Sequence, residues 1–127
     1  MLEDKDIDLL ESNIGKLDAL HEEMSILAKK LPNDGINEFK LGFINSILAS
    51  CNQQLTETRL PFGSFTEFNI ELLPTMSDVT FIAAQYINAM EGLRCEHIIQ
   101  WHSRWFYDNG TDKPKRQTYP PRKFSTK

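Results

Sequence analysis

The apolar positions of this chain fall into helical rhythm over most of its length. In residues 5–31, Ile7, Leu10, Ile14, Leu17, His21, Met24, Ala28 and Leu31 recur at spacings of three and four, and Leu20 and Leu27 widen one flank. Glu3, Asp4, Asp6 and Asp8 crowd the start of this stretch and Lys29 and Lys30 its last turn, as the helix dipole favours, and Pro32 ends it. A second helix is predicted over residues 35–57, capped by Asn33 or Asp34, with Ile36, Phe39, Phe43, Ile47, Leu48, Cys51 and Leu55 as its apolar stripe. Two glycines interrupt these helices. Gly15 costs about 1 kcal/mol against alanine, and Gly42 either admits a neighbouring helix or is simply tolerated.

The longest stretch runs from Pro74 to Gly110. Thr75 with Asp78 approximates a capping box, Ser77 is the alternative cap, and Asp108-Asn109-Gly110 is a stop. The predicted helix between them has roughly 32 residues and a length of about 48 Å. Val79, Ile82, Ala83, Tyr86, Met90, Leu93 and His97 share one face of its first half. In its second half Ile98, Trp101 and Trp105 form one line, and Cys95, Ile99, His102 and Phe106 another. A helix apolar on two sides requires two partners.

Between the second and third helices, Leu60-Pro61-Phe62-Gly63 breaks the pattern, and Ser64-Phe65-Thr66-Glu67 is a capping-box sequence that predicts one or two further helical turns. Phe62, Phe65, Phe68, Ile70, Leu72 and Leu73 make residues 58–74 too apolar for a free linker, so a lid over one end of the core is expected.

The fold class that follows is all-α. An antiparallel bundle of three long helices with a short helical or irregular segment occupies residues 1–110, and a disordered or extended basic tail follows in 111–127. The third predicted helix outruns the second by about 9 residues, or about 13 Å. That overhang makes Cys95, Ile98, Ile99, Trp101, His102, Trp105 and Phe106 the expected interface, with a two-fold homodimer as the simplest cover. The alternative is that the middle segment or the tail folds back over them.

Composition narrows the reading. A chain of 127 residues, 40% apolar and 25% charged, supports one ordinary globular domain. The uncharged run Val79–Met90 is too short to span a membrane, and the acidic start MLEDKDID is unlike a signal peptide, so a cytoplasmic protein with no membrane contact is expected. Cys51 and Cys95 are read as reduced thiols on apolar faces, too far apart in sequence for a metal motif. Of the 14 lysines and arginines, six lie in residues 113–127 with no acid among them, leaving an acidic body that holds all 18 carboxylates. Lys113, Lys115, Arg116, Tyr119, Arg122, Lys123 and Phe124 are the expected tail contacts. They suit an acidic protein surface, the chain's own acidic body, or nucleic acid.

Catalytic and cofactor motifs are absent from the sequence. His21-Glu22-Glu23 opens like a zinc-protease helix, but Ser25 stands where the second histidine belongs. His97 and His102 are five apart and point to different sides of a helix. His21 on the first seam would make assembly pH-sensitive if its imidazole were buried. Trp101, Trp105 and Tyr107 with Arg94 and Arg104 would make a stacking surface. The expected function is therefore a non-enzymatic protein–protein interaction module, such as an adaptor, accessory subunit or inhibitor, without cofactor and homodimeric through the C-terminal half of the last long helix. Nucleic-acid association through residues 113–127 is the second reading. A ligand pocket or enzyme site drawing on Tyr86, Glu91, Glu96, His97 and His102 is the third.

Overall fold

A computed structural model describes residues 2–56 and 59–122. The chain is mostly helical, with α1 over Asp4–Lys30, α2 over Glu38–Gln54 and α3 over Met76–Glu96. It is not all-α. Three short strands, β1 (Ile98–Trp101), β2 (Arg104–Tyr107) and β3 (Gln117–Thr118), form an antiparallel sheet in the order β1-β2-β3.

The first helix follows its predicted seam. Ile7, Leu10, Ile14, Leu17 and Met24 are buried, and the seam rises toward solvent at Leu31. Asn13 is also fully buried: its amide donates to Gln54 Oε1 (3.0 Å), and Gln54 donates in turn to the Asp6 carbonyl (3.0 Å). These bonds tie the start of α1 to the end of α2, so the two helices run antiparallel.

The second helix starts later than predicted. Asn37, not Asn33 or Asp34, is its cap and accepts from the Lys40 amide (2.8 Å). Residues 34–36 are held instead in extended pairing with the start of α3. Ile36 N–H donates to the Pro74 carbonyl (3.1 Å), and Met76 N–H donates to the Asp34 carbonyl (2.9 Å). Ile36, Leu48, Cys51 and Leu55 of the expected stripe are buried, but its early positions are rotated. Leu41, Ile44, Leu48 and Cys51 face the core, while Phe39 and Phe43 point to solvent. Both stripes have helical spacing, and the one that places leucine and isoleucine against α1 and α3 wins. Gly42 is exposed, with open space around it, so it is merely tolerated.

Residues 59–75 run back alongside α2 and do not cap the end of the core. Asn45 donates to the Phe68 carbonyl (2.9 Å) and accepts from its amide (2.8 Å), while Asn52 donates to the Thr66 carbonyl (2.9 Å). The helical turns predicted after Ser64 do not form; the one short helical turn is 3-10, Ile70–Leu72. Phe65, Phe68 and Ile70 pack on the core, whereas Leu72 and Leu73 stand in solvent.

The third helix begins as predicted. Thr75 Oγ1 accepts from the Asp78 amide (3.1 Å), and Asp78 accepts from the Thr75 amide (2.9 Å), a complete capping box. Val79, Ile82, Ala83, Tyr86, Met90 and Leu93 are all buried, and α3 packs chiefly on α1. The helix stops at Glu96, well short of the predicted Asp108. Ile98-Ile99 and Trp105-Phe106-Tyr107 are β-branched and aromatic, suited to strands. His102 (φ 50°) and Ser103 (φ 66°) form the two-residue turn between β1 and β2, and Asp108 N–H donates to the His97 carbonyl (2.8 Å) at the base.

Candidate functional site

Apart from Cys95, which lies in the last turn of α3, the residues expected to form an interface lie on the hairpin, not on one helix. Ile98 and Phe106 are buried, and Cys95, Ile99, Trp101 and Trp105 are partly covered. Trp101 packs edge-on against His102 and Phe106, and His102 stands at the exposed tip. The helical overhang that called for a dimer does not exist in this fold, because the chain turns back at His97 and covers itself.

The tail completes this cover. β3 pairs with β2 through Trp105↔Thr118 and Phe106↔Gln117. Residues 116–122 then run over α1 and α3 as a strap. Arg116 pairs with Asp8 (2.6 Å) and approaches Glu11 (3.6 Å), while Arg122 pairs with Asp18 (3.1 Å). Lys113 and Lys115 remain exposed without a side-chain partner among the described residues, and Lys123 and Phe124 lie outside the described residues.

Under the strap lies the pair Glu91–Arg94, three residues apart on α3 and both buried. The pairing is bidentate: Arg94 Nε and Nη2 donate to the two Glu91 oxygens at 2.8 and 2.7 Å. Burial disfavours both charges, but their mutual bonds outweigh it. Glu91 is held below its ordinary carboxylate range and Arg94 above its ordinary value. Cys95 directs its thiol at Glu91 Oε2 (3.5 Å), and burial with that neighbouring carboxylate raises its pKa. Burial, against a smaller opposing pull from Lys16, pushes the Cys51 thiol up to about 12 and so disfavours its thiolate. The sequence identified Arg94 only as part of a stacking surface, since its binding partners are backbone carbonyls far along the chain.

The polar groups of the third reading do not form one constellation. Tyr86 donates to Asn52 (2.7 Å), Glu91 is committed to Arg94, Glu96 pairs with Arg59, and His102 is at the hairpin tip. His21 is half-buried and has a partner, and no group of three metal-ligating side chains occurs among the described residues.

A different surface is unfilled. Between α1 and α2 lies a groove of about 380 Å³ lined by Ala19, Leu20, Met24, Phe43, Ile44 and Ile47, with Lys16, Lys40 and Glu23 also on its walls. Phe43 and Phe39, one helical turn apart, stack edge-to-face at 5.0 Å while 60% and 75% exposed. No protein-family model, curated protein or solved structure matches this chain. The reading of this groove therefore rests on its own chemistry.

That chemistry is apolar with a charged border of two lysines and one carboxylate, Glu23, cationic on balance. Lys16 and Lys40 belong to the few cations of an acidic body, and neither ammonium group has a partner among the described residues. Every large apolar residue more than half exposed among the described residues also sits near this end. Ile26 and Leu31 close α1, Phe39 and Phe43 open α2, Leu72 and Leu73 precede α3, and Phe81 lies in its second turn.

Proposed function

We propose that this protein is a protein-interaction module that takes an amphipathic helix of a partner protein into the α1–α2 groove. The observation that carries the reading is the solvent-exposed Phe39–Phe43 pair beside an apolar groove bordered by unpaired Lys16 and Lys40. A helix laid in such a groove anchors through large apolar residues at i, i+3 or i+4. Carboxylates flanking those anchors would meet the two lysines. The bound partner would thus be acidic beside its apolar stripe. The protein reading is preferred over nucleic acid because Arg116 and Arg122 are already neutralised by carboxylates of the body.

A photo-crosslinking residue placed at Phe43 tests this, with the cross-linked peptide identified by mass spectrometry. The expected product is a helical segment of another protein with acidic residues beside its apolar anchors, lost when Lys16 and Lys40 are both changed to glutamate. Cross-links confined to a second copy of this chain, with a dimer mass by light scattering, would replace the reading with self-association. Capture that survives the lysine changes would refute the charge argument.

A further inference from the structure

The seat beneath the strap is built like a peptide-recognition site. Arg94, fully buried, spends one edge of its guanidinium on Glu91 and turns the rest toward the strap. Its Nη1 donates to Thr118 Oγ1 (3.1 Å) and to the Tyr119 carbonyl (2.9 Å), and its Nη2 donates to the Pro120 carbonyl (2.9 Å). The Tyr119 ring lies over the guanidinium at 3.7 Å. Glu91 Oε2 accepts the Arg122 amide (2.8 Å), and Asp18 holds the Arg122 guanidinium. Two backbone carbonyls and one backbone amide are therefore read directly, which fixes an extended path. One aromatic ring and one cation supply side-chain selectivity. Pro120-Pro121 stiffens that path, so little chain entropy is lost when the segment is seated.

The seat is also incompletely closed. Between the strap and α1 lies an open groove of about 770 Å³, walled by Glu11, Ile14, Gly15 and Asp18 on one side and by residues 117–122 on the other. On the α1 side the strap is held mainly by ion pairs of Arg116 and Arg122 with partly exposed carboxylates, and β3 is only two residues long. Exposed ion pairs are weak and screened by salt. The recognition groups on α3 are buried, and the segment they hold is weakly anchored only on its α1 side.

We propose that this seat is a docking site for an extended segment of a partner protein carrying an aromatic residue, two prolines and an arginine, and that residues 117–122 occupy it in cis. Asp18 on α1, with Glu91 beneath, is the charge complement of the arginine in such a segment, and Asp4, Asp8 and Glu11 extend the acidic track to the preceding position, held here by Arg116. A second copy of this chain is the poorer occupant, because its segment makes the same contacts and bears the added cost of association. The tethered strap acts as a competitor at high effective concentration. A partner displaces it only with a better segment, and displacement uncovers the free edge of β2.

The test uses the full chain and a labelled synthetic peptide of residues 116–122. In the variant Tyr119→Ala/Arg122→Ala, whose own strap loses the ring over Arg94 and the ion pair with Asp18, the peptide is expected to bind about tenfold tighter or more than to the unaltered chain. A peptide carrying the same two substitutions is expected to bind neither protein, and binding should fall as salt is raised. Equal affinity for both proteins, or none for either, would overturn the proposal. Hydrogen exchange on the unaltered chain gives a second readout that does not depend on the variant folding. Excess peptide should speed exchange of the Arg122 amide and leave the α3 core amides unchanged; an unaffected Arg122 amide counts against the site. A peptide-independent shift to dimer mass would likewise overturn it, in favour of strap exchange between copies.

Discussion

Replacing Arg94 with methionine isolates the buried pair that holds the C-terminal strap. The guanidinium has no exposed surface, and Glu91 beneath it is almost equally covered. Methionine fills most of the volume but leaves a buried carboxylate with only the Arg122 amide and the Cys95 thiol as donors among the described residues. Removing one member of a buried ion pair costs about 3–5 kcal/mol, a large share of the roughly 5–15 kcal/mol that holds a domain folded. For 127 residues, at about 2.1 cal/mol/K of unfolding entropy per residue, that cost lowers Tm by about 11–19 °C. Urea unfolding followed by circular dichroism measures it as a fall in the midpoint at constant slope. Two controls sharpen the reading. Arg116→Ala removes ion pairs with partly exposed Asp8 and Glu11 and should cost less than about 1 kcal/mol. Glu91→Leu combined with Arg94→Met removes both charges and should be less damaging than Arg94→Met alone. If Arg94→Met costs under about 1 kcal/mol, or the double variant is no better than the single, the pair does not hold this end of the fold as argued.

Gly15→Ala and Gly42→Ala should each raise stability by about 0.5–1 kcal/mol, seen as a higher Tm, because a methyl group at either helical position meets nothing within 4 Å. Replacing His102-Ser103 with Asn-Gly should stabilise the hairpin by about 1 kcal/mol, since both residues hold positive φ and Asn-Gly is the pair such a two-residue turn favours, and a lower Tm would contradict the turn geometry. Glu91 gives the strap an acid limit. Its pKa is below the ordinary 4.5, so its contribution is complete above about that pH and is lost as pH falls through the lowered value. Fluorescence of Trp105, which pairs with Thr118, should therefore change in acid at a step that Glu91→Gln abolishes.

Where local pattern and tertiary packing agreed, the fold was legible. The α1 seam and the Thr75–Asp78 capping box depend on residues within one or two turns, and both stand where the spacing put them. The errors came from positions with two local solutions. On α2 the expected stripe holds at Leu48 and Cys51, but in the first turns Phe39 and Phe43 compete with Leu41 and Ile44 at helical spacing, and only contact with α1 and α3 selects the second pair. Residues 98–107 contain no proline or glycine, so a helix could be drawn through them. The strand signal lay in their β-branched and aromatic residues, and a His-Ser turn hid the reversal that Asn-Gly would have announced. The Glu91–Arg94 seat was less accessible still. Its ligands are main-chain carbonyls some 25 residues away in sequence, and a carbonyl has no side-chain signature.

The two surfaces use opposite physics on different flanks of one helix. Glu11, Ile14, Gly15 and Asp18 wall the strap groove, whereas Ala19, Leu20 and Glu23 wall the apolar groove toward α2. With 3.6 residues per turn, the two sets project to different sides of α1. An isolated exposed apolar residue is unremarkable, but here seven large ones collect at one end. None of them is needed inside, because Leu41, Ile44 and Leu48 already fill that side of the core. The strap side is the reverse: its charged groups are paired and its backbone carbonyls are held. Occupants of the two flanks would therefore not collide, and the rigid α1 between them would transmit little from one to the other. Binding of the strap peptide should leave Phe43-directed cross-linking unchanged, and the Phe43 cross-link should leave peptide affinity unchanged. A loss of either on filling the other would show that the two surfaces are one.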